Sequence, residues 1–527
     1  MNIIIEKKYL VVPVNKYAVT KSLRFFEKKE DEMSLIMDFE CKLDLLHPNY
    51  TAYIDVSRFK GMKLEYCSVP EMEFSLLQTD KRVFEDLYQE EYRPFSHFTP
   101  QVGWINDPNG LIKYHGVYHM FYQHNPLGTE RGHMHWGHAI SKDLIHWEEL
   151  DIALFPDETG TMYSGSAIED VHNVSGLRKN ENPPMMLFYT AAGDCGLISK
   201  CKKRTQCLAV SHDGGKTFEK YSSNPIVDWI ESGNRDPKVV WVEELSKFVM
   251  VLYIMENRYA LLTSDNLLDW SKIQDLQIEG DSECPDIMSL NIGEKKYWVI
   301  MGALDRYLVG VFENGLFKPI TETLRLTFSQ PRISYAAQSF SGMDDGRAVR
   351  ITWHRLNMPS LRVPHQMSIP TVMELIETDD GVLVTSNPVK EIEALYEGTV
   401  VENDIQLSEK FVLPLARAAY DIHFKMEYKG NIELEYFGNT LRINTEENYI
   451  QFQKFKMPIS LKKNLIDLRL IIDRCSVEIF ADGGKYCAMF PTICDYNIMN
   501  LKLSSDEPTV VQNITCNRLK SIHPVLC

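Results

Sequence analysis

The 527-residue chain has no run approaching the roughly 18 apolar residues that a membrane-spanning helix needs. Long helical periodicity is scarce too, and the 28 Gly and 24 Pro are scattered, which excludes coiled coil and collagen. Positive charge is in short supply: 56 Lys and Arg stand against 73 Asp and Glu, a net charge of −17. A nucleic-acid backbone or an anionic membrane requires a basic face, so neither is expected as a partner. The start, Met1-Asn-Ile-Ile-Ile-Glu-Lys-Lys, lacks the basic residues and the stretch of about 7–15 apolar residues that make a secretory leader. The 11 Cys are odd in number and dispersed, with no Cys-x-x-Cys pair, and read as reduced thiols. A cytoplasmic location is the resulting expectation.

What the chain does have is β texture. Runs rich in Val, Ile, Tyr, Phe and Trp lie between Gly, Asp and Asn turns. A strand following a polar turn recurs at 116–124, 183–191, 246–254, 294–304 and 346–354. A second pattern, a polar turn closed by an aromatic, recurs at Ser141–Trp147, Ser211–Phe218 and Ser264–Trp270. Five such units predict a five-bladed β-propeller over 91–385. Residues 1–90 read as a small extra N-terminal β-domain, from alternating stretches such as Tyr9–Val14 and Tyr50–Val56. Residues 386–527 read as a short helical connector, Pro388–Tyr396, followed by a C-terminal β-sandwich. The fold class is all-β throughout.

In a propeller the innermost strands line one axis, so equivalent positions meet there however far apart they lie in sequence. Asp107 precedes its repeated strand by 10 residues, Asp236 by 11 and Glu283 by 12. Tyr335 precedes the fifth such strand by 12 and joins the same ring. Three carboxyls around one axis repel, and each raises the pKa of its neighbours. An acid beside an ionised carboxylate is what glycoside hydrolysis requires.

The motifs that hold these residues resemble glycoside hydrolase family 32, the invertases, inulinases and levanases. The matching runs are Trp104–Gly110, Phe121–Gln123, Trp136–His138, Tyr163–Ser166, Arg235–Pro237, Glu283–Pro285 and Tyr335–Phe340, in family order, with Leu468–Phe480 similar to the family's sandwich signature. Asp55–Gly61 resembles part of an accessory β-domain found before some bacterial fructan hydrolases. The resemblance implies a retaining, exo-acting β-fructofuranosidase without cofactor or metal. It makes Asp107 the nucleophile, Glu283 the general acid and Asp236 the transition-state stabiliser, with Arg235 keeping Asp236 ionised. It places Asn106, Gln123, Tyr163, Ser164, Arg235, Tyr335 and Trp353 around a fructoside; Arg131, at a position where the family differs, is expected to join them. Retention implies an Asp107–Glu283 carboxyl gap of about 5–5.5 Å.

Departures from the family pattern stand at Arg131 and His133, where a Trp-Gly-Asn context is usual, and at Asn234, where an aromatic is usual. They predict an altered pocket rim and a leaving-group preference unlike a generic invertase. His133, His135 and His138 also admit a metal reading, set below that of rim and hydrogen-bonding histidines. Transfer to a sugar acceptor, an arabinanase-like or sialidase-like propeller, and a non-catalytic sugar-binding propeller remain alternatives. Oligomeric state is open, a homodimer included.

Overall fold

The computed structural model describes residues 1–30, 32–379, 381–407, 410–427, 430–459 and 465–523. Among them the helical elements are three short 3-10 segments, Ser57–Phe59, Glu243–Leu245 and Lys390–Leu395. The connector expected at Pro388–Tyr396 is the last of these.

Five antiparallel sheets follow one another along the chain and form the blades of a propeller. Their first strands are Trp104–Tyr114, Thr161–Glu169, Arg235–Val242, Asp286–Ile292 and Ser334–Ser339. Each first strand packs against those of the neighbouring blades, so these five line the axis. The recurring strands read from sequence are the second strands, Val117–Asn125, Met185–Ala192, Lys247–Met255, Lys295–Met301 and Ala348–His354. All eight residues of Met185–Ala192 are buried, because a second strand is covered by a neighbouring blade on both faces. The polar turns closed by aromatics join third strands to fourth ones. Ser141, Ser211 and Ser264 open them, and the Trp147 and Trp270 indoles donate to Leu144 O and Leu267 O at 2.9 and 3.1 Å.

Apolar cores fill the wedges between blades: Phe121, Trp136 and Leu187 between one and two, Phe188, Met250 and Leu262 between two and three, Tyr259, Trp298 and Phe317 between three and four. Blade five meets blade one through Leu111 N and Lys113 N, which donate to Gln338 Oε1 at 3.0 Å and Ser341 O at 2.9 Å. Below the acids the axis is plugged. Lys238 Nζ lies 2.9 Å from Asp286 Oδ1 and donates to Ser339 O at 2.6 Å, all three residues being buried.

The C-terminal sandwich is two six-stranded sheets closed on a core that includes Phe424, Leu434, Tyr436, Leu468 and Ile479. The run Leu468–Phe480 forms the hairpin Leu465–Asp473 with Ser476–Ala481. It docks on the propeller around His97, whose Nδ1 meets Asp473 at 2.8 Å and whose Nε2 meets Glu478 at 2.7 Å. Burial alone disfavours a charged imidazole, but the two carboxylates outweigh it and lift His97 to about 9.

At the N-terminus a four-stranded and a three-stranded sheet enclose a core with Val12, Phe25, Phe39, Ile54 and Tyr66. This unit touches two rim loops of the propeller. Asp38, itself buried, accepts from Leu197 N at 3.0 Å and Ile198 N at 3.3 Å. Lys42 Nζ donates to Glu130 Oε1 at 2.9 Å, next to Arg131.

Candidate active site

Four of the five blades deliver their site residue by breaking strand register. The first strands slip against their partners between Ile105 and Pro108, Tyr163 and Gly165, Arg235 and Lys238, and Tyr335 and Gln338. A bulge leaves the extra residue unpaired and re-aims its side chain. Asp107, Ser164 and Asp236 occupy such positions, and Glu283 stands just before the fourth blade's first strand. Asp236, Glu283, Cys284 and Ala336 have φ of 65, 61, 33 and 55°, a left-handed backbone that non-glycine residues avoid. Strain of this kind persists only where the surroundings hold it. For Asp236, the backbone N–H donates to Thr190 Oγ1 at 2.9 Å.

These residues converge on one cavity of about 280 Å³. Asp107, Asp236 and Glu283 line it, as do Asn106, Gln123, Arg131, Tyr163, Ser164, Arg235, Tyr335 and Trp353. Ser164 Oγ donates to Asp107 Oδ2 at 2.6 Å, and Cys284 N donates to Asp236 Oδ2 at 3.1 Å. The Cys284 thiol spans the two aspartates, 3.4 Å from Asp107 Oδ2 and 3.5 Å from Asp236 Oδ2. Gln123 is fixed by donating to Met162 O at 2.8 Å, and Asn106 accepts from the Trp104 indole at 2.7 Å. The Trp353 ring packs 6.0 Å from Trp104 and 6.2 Å from Tyr335, and its buried indole N–H has no partner among the described residues.

Charge is distributed differently from the sequence expectation. Arg235 Nη2 donates to Glu283 Oε1 at 2.5 Å, whereas its Nε lies 3.5 Å from Asp236 Oδ2. Tyr335 donates to the other Glu283 oxygen. Burial pushes Glu283 up, but Tyr335 and Arg235 together hold its carboxyl below the usual range. Burial raises Asp236 to about 6 against the pull of Arg235, with Asp107 and Glu283 adding to the rise. Burial raises Asp107 as well, opposed by hydrogen bonds from Ser164 and Asn106. Arg235 therefore serves Glu283 first, and Asp236 is not held strongly ionised.

Two departures lie elsewhere than the rim. His133 packs beneath it, against Asp38, Arg58 and Phe155. Asn234 is fully buried, accepting from Ile230 N and Glu231 N at 3.2 and 3.4 Å and closing its own turn. Arg131 does stand at the mouth, donating to Tyr163 Oη at 2.8 Å. Of the three histidines, His138 turns to His119, 3.0 Å away, and leaves His133 and His135 paired ring to ring. Trp104, Arg332 and Arg355 also line the cavity and were not singled out. Trp104 opens the Trp-x-Asn-Asp-Pro run, whereas Arg332 and Arg355 carry no motif of their own.

A closed five-bladed ring with three carboxylates in one axial cavity, joined to a β-sandwich, defines a glycoside hydrolase. The family comparison agrees: Glycosyl hydrolases family 32 N-terminal domain matches residues 97–387 and Glycosyl hydrolases family 32 C terminal matches 416–517. The chain belongs to glycoside hydrolase family 32. It is 32% identical over 498 residues to a levanase of Bacillus subtilis, covering 82% of this chain and 71% of that protein. It is 34% identical over 489 residues to an extracellular exo-inulinase of Aspergillus awamori, covering 76% and 89%. The crystal structure of exo-inulinase from that fungus superposes with a TM-score of 0.74 at 25% identity, over 83% of this chain and 100% of that one.

Proposed function

We propose that the chain is a retaining, exo-acting β-fructofuranosidase that releases terminal fructose from sucrose, fructo-oligosaccharides or fructans. The observation that carries this reading is the meeting of Asp107, Asp236 and Glu283 in one cavity. The levanase, exo-inulinase and invertase names of its relatives support the same substrate class.

In the proposed reaction Asp107 attacks the anomeric C2 of fructose and forms a fructosyl ester, while Glu283 gives its proton to the departing oxygen. Water then enters, loses a proton to Glu283 and breaks the ester, restoring both carboxyls with net retention. Ser164 and Cys284, which donate to Asp107, keep its attacking oxygen oriented. Asp236 accepts from fructose hydroxyls and faces the positive charge that grows at the ring. Glu283 must be protonated as substrate seats. Substrate at this position competes for the Arg235 and Tyr335 contacts that keep it ionised, and the exclusion of water raises its pKa.

The ten cysteines among the described residues are all unpaired, Cys195 and Cys201 exposed, which supports action in a reducing compartment. The decisive experiment measures fructose release from sucrose, inulobiose and longer fructans by the wild type and by Asp107→Asn. Release by the wild type, lost roughly 10³-fold or more in the variant, is expected. The first-formed anomer, followed by NMR, tests retention. Initial α-fructofuranose would refute it.

A further inference from the structure

His365 is fully buried behind the cavity wall. Its ring centre lies 4.4 Å from that of Trp104 and 5.4 Å from that of Trp353, edge to face in both cases, at interplanar angles of 81 and 71°. Those two indoles, 6.0 Å apart, both line the cavity. The imidazole reaches them because the chain turns back on itself. Trp353 pairs with Met367 and His354 with Gln366, so the loop 355–365 returns beside the strand it left, and His365 is its last residue. The loop is braced on several sides. Met358 N donates to Pro364 O at 2.9 Å across it, and Gly103 N, one residue before Trp104, donates to Arg362 O at 2.8 Å. Lys16 Nζ of the N-terminal unit donates to Ser360 O at 2.9 Å.

Packing alone does not call for an imidazole here. Nδ1 accepts from Asn357 N at 3.4 Å, which leaves the proton of the neutral ring on Nε2. That nitrogen is buried and has no partner among the described residues. A Leu would fill the same space without burying an unpartnered nitrogen. What a flat ring adds is direction: edge-to-face contacts fix the angle between rings and are worth about 0.5–1.5 kcal/mol beyond the area they bury.

Each indole leads to a catalytic carboxyl. Trp104 Nε1 donates to Asn106 Oδ1 at 2.7 Å, and Asn106 supports the Asp107 carboxylate. The Trp353 ring lies 6.2 Å from that of Tyr335, at 80°, and Tyr335 donates to Glu283. One imidazole outside the cavity thus stands behind the supports of both the nucleophile and the acid. A shift of either indole changes how the two carboxyls face a shared linkage.

We infer that His365 is a positioning residue, one that sets the Trp104–Trp353 pair and, through it, the alignment of Asp107 with Glu283 without touching the substrate. This rests on the fructosidase reading above and adds to it.

The test compares the full chain with His365→Leu and His365→Phe. Both substitutions keep most of the side-chain volume, so both should fold, which urea unfolding checks. Leu removes the flat ring and Phe returns it. With the fructoside that the wild type cleaves best, kcat should fall roughly 10- to 100-fold in His365→Leu, more than KM rises. His365→Phe should recover most of the loss. Near-ultraviolet circular dichroism, which reads the mutual geometry of the indoles, should change in His365→Leu and return toward the wild type in His365→Phe. A folded His365→Leu with wild-type kcat would overturn the inference, whatever its stability, and so would a His365→Phe as impaired as His365→Leu. No fructose release by the wild type would instead overturn the fructosidase reading, and the dichroism of the two variants would still decide whether His365 places the indoles.

Discussion

Arg235 reaches past its own neighbour Asp236 to donate to Glu283 at 2.5 Å. The carboxyl proposed to give up a proton is thereby held ionised, while Asp236, proposed to stay charged, is raised to about 6. The productive state, with Glu283 protonated and both aspartates ionised, is a minority state of the free enzyme. The carboxyls titrate as a coupled set, so the limbs of a pH profile belong to the cluster.

The profile of kcat/KM should show this. Because Asp236 lies at about 6 and Glu283 below its ordinary value, the maximum should fall between the two, and the rate constant should drop as pH rises above about 6. Tyr335→Phe removes a hydrogen bond to the Glu283 carboxylate and lets its pKa rise, moving the acid limb upward. A charge-assisted hydrogen bond is worth about 1.5–3 kcal/mol, so kcat should also fall roughly 10- to 100-fold. An acid limb unmoved in Tyr335→Phe would refute the assignment.

Cys284 offers a second probe. Burial, with Asp107 and Asp236 beside it, raises its thiol well above the ordinary value, so it stays protonated and donates. Iodoacetamide should therefore label the exposed Cys195 and Cys201 long before Cys284, as mass spectrometry would show. Cys284→Ala should move the limb of kcat/KM that lies near 6 upward, because Asp107 and Asp236 lose a shared donor. Cys284→Ser should restore most of it.

The charged contact between propeller and sandwich predicts a pH window for folding. His97, at about 9 against an ordinary 6.5, stabilises fully below 6.5, and that contribution is lost as pH rises through 9. Asp473, lowered to about 2 from 3.8, stabilises above 3.8, and its contribution is lost as pH falls through 2. Urea unfolding should therefore show this contribution undiminished between pH 3.8 and 6.5. His97→Gln leaves Asp473 and Glu478 buried without their cation and should cost about 3–5 kcal/mol.

Asp38 links the N-terminal unit to the loop at 193–204, whose Cys195 Sγ lies 3.6 Å from Tyr163 Oη. Asp38→Ala should loosen that loop and change KM by an amount worth about 0.5–2 kcal/mol, with kcat nearly constant. Hydrogen exchange of Leu197 and Ile198 amides should quicken in parallel. Fast exchange with an unchanged KM would separate the loop from substrate binding.

Much of this architecture could be read from sequence because a propeller repeats. The second strands announced themselves as apolar runs, and constant offsets placed Asp107, Asp236, Glu283 and Tyr335 in one ring. What did not repeat stayed hidden. Arg332 and Arg355 sit in connections, whose course no periodicity sets. The orientation of Arg235 depends on a register slip between Arg235 and Lys238 and on a left-handed residue at 236, neither visible in a string of letters. His133 looked like a rim residue because the N-terminal unit that covers it contributes no shared pattern.

The ring closes without exchanging a strand, since blade one is built wholly from 104–149 and blade five from 334–388. Its first and last blades meet through side-by-side first strands, and Ile471, Phe480, Cys487 and Leu519 of the sandwich join the same apolar core as Leu111, Val349 and Met373. The sandwich is thus the clasp of a necklace that would otherwise have a free catch. A chain ending near residue 388 would bare that apolar surface and let the first and last blades part, dismantling the catalytic cavity from a place that no catalytic group touches.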